Sequence, residues 1–323
     1  MAYGEVVDLA LYHEEHGFYA SGGRAGRRGD FLTSPEVGPL FGHIVANALD
    51  AEWDRLGQPG TFTVIDWGAG PGTLLRSIER AKPRCSPALR RVAVEWSPTQ
   101  RELHDEGVES VRSVQRGDYG GAGVVVANEL LDNLAFNPVR IEGEAVRPSW
   151  VDLDSTNDEL REISGDLDPS VASTLFSPGS SSAVYQPKAA QWLQRALDMF
   201  DAGRVLVFDY ARSSSSEVAI RTFAEHGNAG DPLANLGTKD VTVDVDLFQL
   251  QVAVRHADMQ STQAAWLVEN NISHIVEEGR RIWDSNAATG TLEALLARSR
   301  VRESEALMDP SGLGGFITME WVI

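Results

Sequence analysis

Apolar residues recur along this chain with two periods, and their alternation predicts a parallel sheet covered by helices. Between residues 40 and 56, Leu40, Ile44, Val45, Ala48, Leu49 and Trp53 share one face of a helix. Phe62-Thr63-Val64-Ile65 follows as a short β-rich run ending at Asp66. Residues 73–80 read as a helix, Arg91-Val92-Ala93-Val94 as the next strand, residues 98–106 as a helix and Val124-Val125-Val126 as a buried parallel strand. Strand, turn and helix repeated at this pace predict an α/β, doubly wound, Rossmann-like sheet with an N-terminal leader and later additions.

Four segments follow from that reading. Residues 1–60 form a leader with capping helices, including a Gly/Arg-rich stretch at 21–29, and residues 61–140 form the first half of the core. Residues 141–185 are an acidic insertion rich in Ser, Pro and Gly, expected to hold a small hairpin near 146–153 and a mobile loop. Its part from 155 to 185 carries few large apolar groups and reads as disorder-prone. Residues 186–323 complete the core. They offer a helix at 191–200, the strand Arg204-Val205-Leu206-Val207-Phe208 ending at Asp209, and a flexible serine run at 213–216. Helices near 246–283 and 289–299 and a C-terminal strand pair at 312–323 complete the expectation.

Composition narrows the function classes. The length of 323 residues suits one large α/β enzyme with insertions. No stretch approaches the roughly 20 apolar residues of a membrane span, and the opening residues lack a signal or transit pattern, so a cytoplasmic address and no membrane insertion are expected. Cys85 is alone, which excludes an internal disulfide and a thiolate metal cluster. His13 and His16 lack partner ligands, so no metal is expected. With 28 basic against 47 acidic residues, the net charge of −19 disfavours nucleic acid and attracts basic partners, although solubility alone also accounts for it.

The chemistry concentrates in Val64-Ile65-Asp66-Trp67-Gly68-Ala69-Gly70-Pro71-Gly72-Thr73. A strand must turn sharply into a helix there, and glycines permit the turn and a close ligand approach. Asp66 is placed to accept from an ammonium group. Glu95, at the end of the next strand, is placed to accept from both hydroxyls of a ribose. A nicotinamide fingerprint needs glycine where Thr73 stands, and no P-loop Lys follows. Glycines at 68, 70 and 72 with Asp66 point instead to S-adenosylmethionine, whose amino acid end carries an ammonium. Asp118, in Gly117-Asp118-Tyr119, is a candidate for the adenine amino group. Asn128-Glu129-Leu130-Leu131-Asp132 follows a buried strand, where ligands enter such sheets. Should the acceptor be a guanidinium, Glu129, Asp132 and Glu36 are the carboxylates to hold it.

These residues resemble the MidA-like methyltransferases over nearly the whole chain. The resemblance rests on Leu11-Tyr12-His13-Glu14-Glu15-His16-Gly17-Phe18-Tyr19, on Gly29-Asp30-Phe31-Leu32-Thr33-Ser34-Pro35-Glu36-Val37 with Leu40-Phe41-Gly42, and on the glycine loop. Glu95-Trp96-Ser97-Pro98, Ala127 to Asp132, Asp231-Pro232-Leu233, Asp240-Val241-Thr242 and Gln263-Ala264-Ala265-Trp266-Leu267 add to it. It implies a class I methyltransferase sheet and S-adenosylmethionine. Asp66, Gly68, Gly70, Gly72, Glu95, Asp118 and Asn128 would bind the cofactor, and a leader around Thr33, Ser34 and Glu36 would close over it. It also implies a protein substrate, with arginine of a respiratory-complex subunit as the candidate acceptor. Departures from the pattern are Asn133 and Ala135 for Ala and Pro, Asp244 for His, Trp67 and Ala69 in the loop, and a start part-way into the opening helix. These leave two further readings open: a non-catalytic assembly or binding protein on the same fold, and a small-molecule methyltransferase with a pocket formed by residues 217–323. The oligomeric state is not encoded in these patterns.

Overall fold

The computed structural model of the chain describes residues 1–20, 33–212, 220–224, 227–286 and 291–323. The Gly/Arg-rich stretch, residues 29–32 of the leader motif and the serine run lie outside them. A seven-stranded sheet forms the centre. Its strands are β1 (Phe62–Trp67), β2 (Leu89–Val94), β3 (Glu109–Val111), β4 (Ala122–Asn128), β5 (Ala202–Asp209), β6 (Met259–Thr262) and β7 (Ile317–Val322). The order across the sheet is β6-β7-β5-β4-β1-β2-β3, parallel from β5 to β3 and antiparallel at β7 and β6. The chain moves outward from β1 to β3 and then returns to β4 on the other side of β1. That reversal opens a crevice at the carboxyl ends of β1 and β4.

Both faces of the sheet are covered, and the strand residues divide between them with period two. Phe62, Val64, Val124, Val126, Leu206 and Phe208 pack under α3 (Pro39–Arg55), α4 (Thr73–Ala81), α8 (Gln263–Glu269) and α9 (Ile272–Asn286). Ile65, Trp67, Val125, Ala127, Val205 and Val207 meet α6 (Pro187–Leu197) and α7 (Leu247–Ala253) on the other side. Burial on both faces explains why the central strands read as near-continuous apolar runs. The last helix, α10 (Leu292–Met308), pairs with α9 and extends well past the expected 299.

The leader and the insertion make a second, smaller core above the crevice. Helix α1 (Tyr3–Tyr12) places Tyr3, Val6, Val7 and Leu11 against Phe136, Val151, Val184, Val241 and Val243. Its apolar residues at 3, 6, 7, 10 and 11 follow the helical period, so the signal for α1 was present in the sequence. Two short helices complete the set, α2 (Ser34–Val37) in the leader and α5 (Pro98–Arg101) after β2.

Three expectations are corrected. The insertion is a four-stranded antiparallel sheet of Asn137–Glu142, Ala145–Asp154, Glu159–Ser164 and Ser182–Tyr185, and not a hairpin with a loose loop. Val139, Val146, Val171, Phe176 and Ala183 supply its small core, which a count of large apolar groups undervalues. The C-terminal segment is one strand inserted between β5 and β6, and the helix after β2 stops at Arg101.

Phe41 is fully buried and meets Phe208 edge-on at 5.0 Å, and Phe208 in turn meets Trp266 at 4.8 Å. Truncating Phe41 to Ala is expected to cost about 3–5 kcal/mol, read as a shift of the urea midpoint at unchanged slope. A loss below about 1 kcal/mol would show that this aromatic stack does not anchor α3 to the sheet.

Candidate active site

A cavity of about 570 Å³ lies at the carboxyl ends of β1 to β4. Its floor is the loop from Asp66 to Thr73, and its walls come from Glu95 and Trp96 after β2, Arg112 and Ser113 after β3, and Asn128 to Leu130 at the end of β4. The leader closes the far side with Asp8, Tyr12, Tyr19, Thr33 and Glu36.

The loop adopts the geometry that its glycines permit. Gly68, Gly70 and Gly72 have φ of 82°, 53° and 78°, in the left-handed region that side chains with a Cβ enter rarely. A Cβ on Gly68 would stand 3.0 Å from Leu130 Cδ1. Gly68 and Gly70 line the cavity, whereas Gly72 caps α4 beside His104.

Asp66 is 3% exposed, and its Oδ2 has no hydrogen-bond partner among the described residues. Burial, with the Glu95 charge nearby, pushes its carboxyl up to about 7. Glu95 accepts the Gly70 N–H at 2.9 Å on Oε2 and the Ser97 N–H at 2.7 Å on Oε1. These amides hold its side chain toward the loop and partly offset the upward shift that burial gives its pKa. Trp96, next in sequence, carries Tyr12 edge-on at 5.8 Å and the Arg112 guanidinium at 5.4 Å.

The segment after β4 gathers carboxyls. Glu129 has φ +52°, and its Oε1 accepts from Asn128 Nδ2 at 2.9 Å while the Ser34 backbone also bonds to it. Burial and the Asp132 charge raise its pKa well above the usual range. Asp132 lies one layer behind the cavity, accepting from Thr242 Oγ1 at 2.6 Å. Burial outweighs that bond and the Arg221 charge, and lifts its carboxyl to about 6. Asp240 accepts from Asn133 Nδ2 at 2.9 Å and from the Tyr19 hydroxyl at 3.2 Å, and burial with the Asp132 charge takes it to about 7. Asp209 completes the group, fully buried and likewise raised by burial and by Asp132. Arg221, the guanidinium that offsets Asp132, is itself paired with Asp244.

Eight of the residues singled out from the sequence therefore line one cavity: Thr33, Glu36, Asp66, Gly68, Gly70, Glu95, Asn128 and Glu129. Ser34 does not reach it, because its hydroxyl donates to Gln263 Oε1 at 2.8 Å beneath the leader. Asp118 is a correction. Its carboxylate closes a turn by accepting the Gln115 N–H at 2.7 Å, and Arg112 and Ser113 stand at the cavity instead. His13 likewise serves a turn, its Nδ1 accepting the N–H groups of Glu15 and His16. Cys85 is buried with its thiol pushed up to about 12, an inert state. Asp209, Asp240, Tyr12 and Tyr19 were missed. Asp209 carried a signal as the last residue of an apolar strand, and the other three lie in segments read only for their family resemblance.

Residues 44–265, well over half of the chain, match the family described as S-adenosyl-L-methionine-dependent methyltransferase. The chain belongs to that family. A Drosophila melanogaster protein named protein arginine methyltransferase NDUFAF7 homolog, mitochondrial, is 26% identical over 296 residues, 78% of this chain and 65% of its own length. The human protein arginine methyltransferase NDUFAF7 is 23% identical over 282 residues, or 76% of this chain and 64% of its own. The chain thus spans just under two thirds of the curated relatives it matches. A Burkholderia thailandensis protein crystallised with S-adenosyl-homocysteine shares the fold, with TM-score 0.81 over 100% of this chain and 88% of that one at 21% identity.

The raised carboxyls make stability depend on pH. A carboxyl near 7 in the fold and near 3.9 in the unfolded chain binds more protons when folded between those values, so it costs stability as pH rises through that window. His43 and His104, lowered by burial, act in the opposite sense below their ordinary value. The comparison that isolates Asp66 is therefore wild type against Asp66→Asn. In ligand-free melts the variant is expected to gain on wild type between pH 5.5 and pH 8. A difference that does not change with pH would contradict a carboxyl titrating near neutrality.

Proposed function

We propose that this chain uses S-adenosylmethionine to methylate an arginine side chain of a protein partner. The observation that carries the reading is a single cavity with two chemically distinct ends. At one end stand the glycine loop, Asp66, whose Oδ2 has no hydrogen-bond partner among the described residues, and Glu95; at the other stands Glu129, backed by Asp132 and Asp240.

The residues present fit the cofactor. Asp66 Oδ2 is a buried acceptor lacking a donor among the described residues, the partner an amino acid ammonium needs. Glu95 keeps lone pairs for ribose hydroxyls beyond the two amides it accepts, and Trp96 lines the cavity beside it. The cofactor supplies a methyl group on a sulfonium sulfur. The acidic end recognises a cationic acceptor, because an entering guanidinium replaces burial without charge compensation by forked, charge-assisted hydrogen bonds. Glu129 then takes the proton that the guanidinium nitrogen must lose as it is alkylated. Tyr12, Tyr19 and the leader residues Thr33 and Glu36 cover the cavity and limit the access of water.

The curated relatives' names support an arginine acceptor, and the excess of 47 acidic over 28 basic residues supports a basic protein partner over nucleic acid. The cytoplasmic address belongs to the same proposal, supported by a single, buried cysteine, which suits a reducing compartment.

Calorimetric titration with S-adenosyl-homocysteine tests the cofactor end. Wild type is expected to bind at the order of micromolar, Glu95→Ala to lose roughly 10- to 100-fold, and Gly70→Val to show no binding, since φ at Gly70 is +53°. Glu129→Gln is expected to keep that affinity while kcat falls about 100-fold or more. A folded wild type that does not bind would sink the reading. Binding without transfer to any protein would move the non-catalytic reading to first place.

A further inference from the structure

The turn that presents Glu129 is held from behind by a carboxylate that does not line the cavity. We infer that Asp209 is the positioning residue for Glu129, acting as a fixed acceptor for the amides of the β4 turn and not through its charge. The inference rests on the reading of Glu129 given above.

Three consecutive N–H groups are pinned by the end of β5. Glu129 N–H donates to the Phe208 carbonyl at 2.8 Å, and the N–H groups of Leu130 and Leu131 converge on Asp209 Oδ2 at 3.2 and 2.9 Å. Between them they fix a backbone conformation that does not hold itself. Glu129 sits at φ +52°, where a residue with a Cβ is rarely stable. The next residues close into a short 3-10 turn, Leu131–Asn133, that carries Asp132. Released from Oδ2, the buried Leu131 amide and the half-buried Leu130 amide would be donors without acceptors, and the turn would relax toward an ordinary conformation. Glu129 would then leave Asn128 Nδ2 and the Ser34 backbone, the two contacts that hold it at the cavity.

The acceptor and the charge make different predictions. Asp209 is fully buried, its Oδ1 has no hydrogen-bond partner within normal geometry among the described residues, and its neighbours Glu129 and Asp132 repel a charge there. A negative charge on Asp209 therefore adds repulsion, while the oxygen position does the holding. The amide oxygen of Asn can accept the same two N–H groups. The longer Glu side chain keeps the charge and moves the oxygen.

Three variants separate these roles: Asp209→Asn, Asp209→Ala and Asp209→Glu. Two readouts are taken, hydrogen exchange of the segment 129–134 and steady-state methyl transfer. Asp209→Asn is expected to keep wild-type exchange protection and kcat within about threefold. Asp209→Ala and Asp209→Glu are expected to exchange faster in that segment and to lose about 100-fold in kcat, the scale of a misplaced reacting group. Their affinity for S-adenosyl-homocysteine is expected to stay within about threefold of wild type, since Asp66 and Glu95 lie on other strands.

Should Asp209→Ala fail to fold, Asp209→Asn and Asp209→Glu still divide acceptor from charge. Asn as impaired as Ala, or Glu as active and protected as wild type, overturns the inference. The expected exchange pattern in a chain whose wild type transfers no methyl group would instead sink the proposed function and leave the turn assignment standing.

Discussion

Carboxyls buried with amides and hydroxyls in place of cations set the terms for this molecule. Removing a carboxylate from water is costly unless hydrogen bonds or an opposite charge compensate. Compensation here comes mostly from neutral donors. Gly70 and Ser97 N–H groups meet Glu95, Leu130 and Leu131 N–H groups meet Asp209, Thr242 meets Asp132, and Asn133 with Tyr19 meets Asp240. Neutral donors hold the carboxyls in place without cancelling their charge. Both the glycine loop and the β4 turn take their shape from this arrangement, because each bends an N–H toward an acid on another strand. The leader docks for the same reason, through Tyr19 on Asp240 and the Ser34 backbone on Glu129.

The parts of the site that could be read from the sequence are those whose signal is local. The glycine loop, Asp66 and Glu95 sit at strand-to-loop junctions, and a strand followed by a turn and a helix places such residues at a crevice whatever the rest of the chain does. Asn128 and Glu129 follow the same logic. Asp118 shows its limit, since a loop aspartate closes a turn as readily as it meets a ligand, and the local pattern is the same. The contact between Asp240 and Tyr19 was out of reach because it spans 221 residues, although both lie in segments read for their family resemblance. β7 was misassigned for a related reason: its partners, β5 and β6, come from distant parts of the chain.

Two departures from the family pattern, Asn133 and Asp244, fall next to the acid cluster, and none replaces a glycine of the loop. Asn133 donates to Asp240, and Asp244 holds Arg221, the guanidinium that offsets Asp132. Both therefore bear on how the acidic end is compensated, which is the end that would read the acceptor. Ala135 is buried, and nothing in the structure explains its presence in place of Pro. Trp67 packs edge-on against Trp192 at 5.6 Å and serves the core under α6.

The account stands most directly on the chemical identity of the methylated product. Purified protein would be given S-adenosylmethionine carrying a labelled methyl group together with a basic protein fraction, and the acid hydrolysate of that fraction would be resolved by residue. The expected result is label in methylated arginine, accumulating about 100-fold or more slowly in the Glu129→Gln reaction. Label in another residue type, or only in low-mass compounds, would contradict a guanidinium site at the acidic end of the cavity.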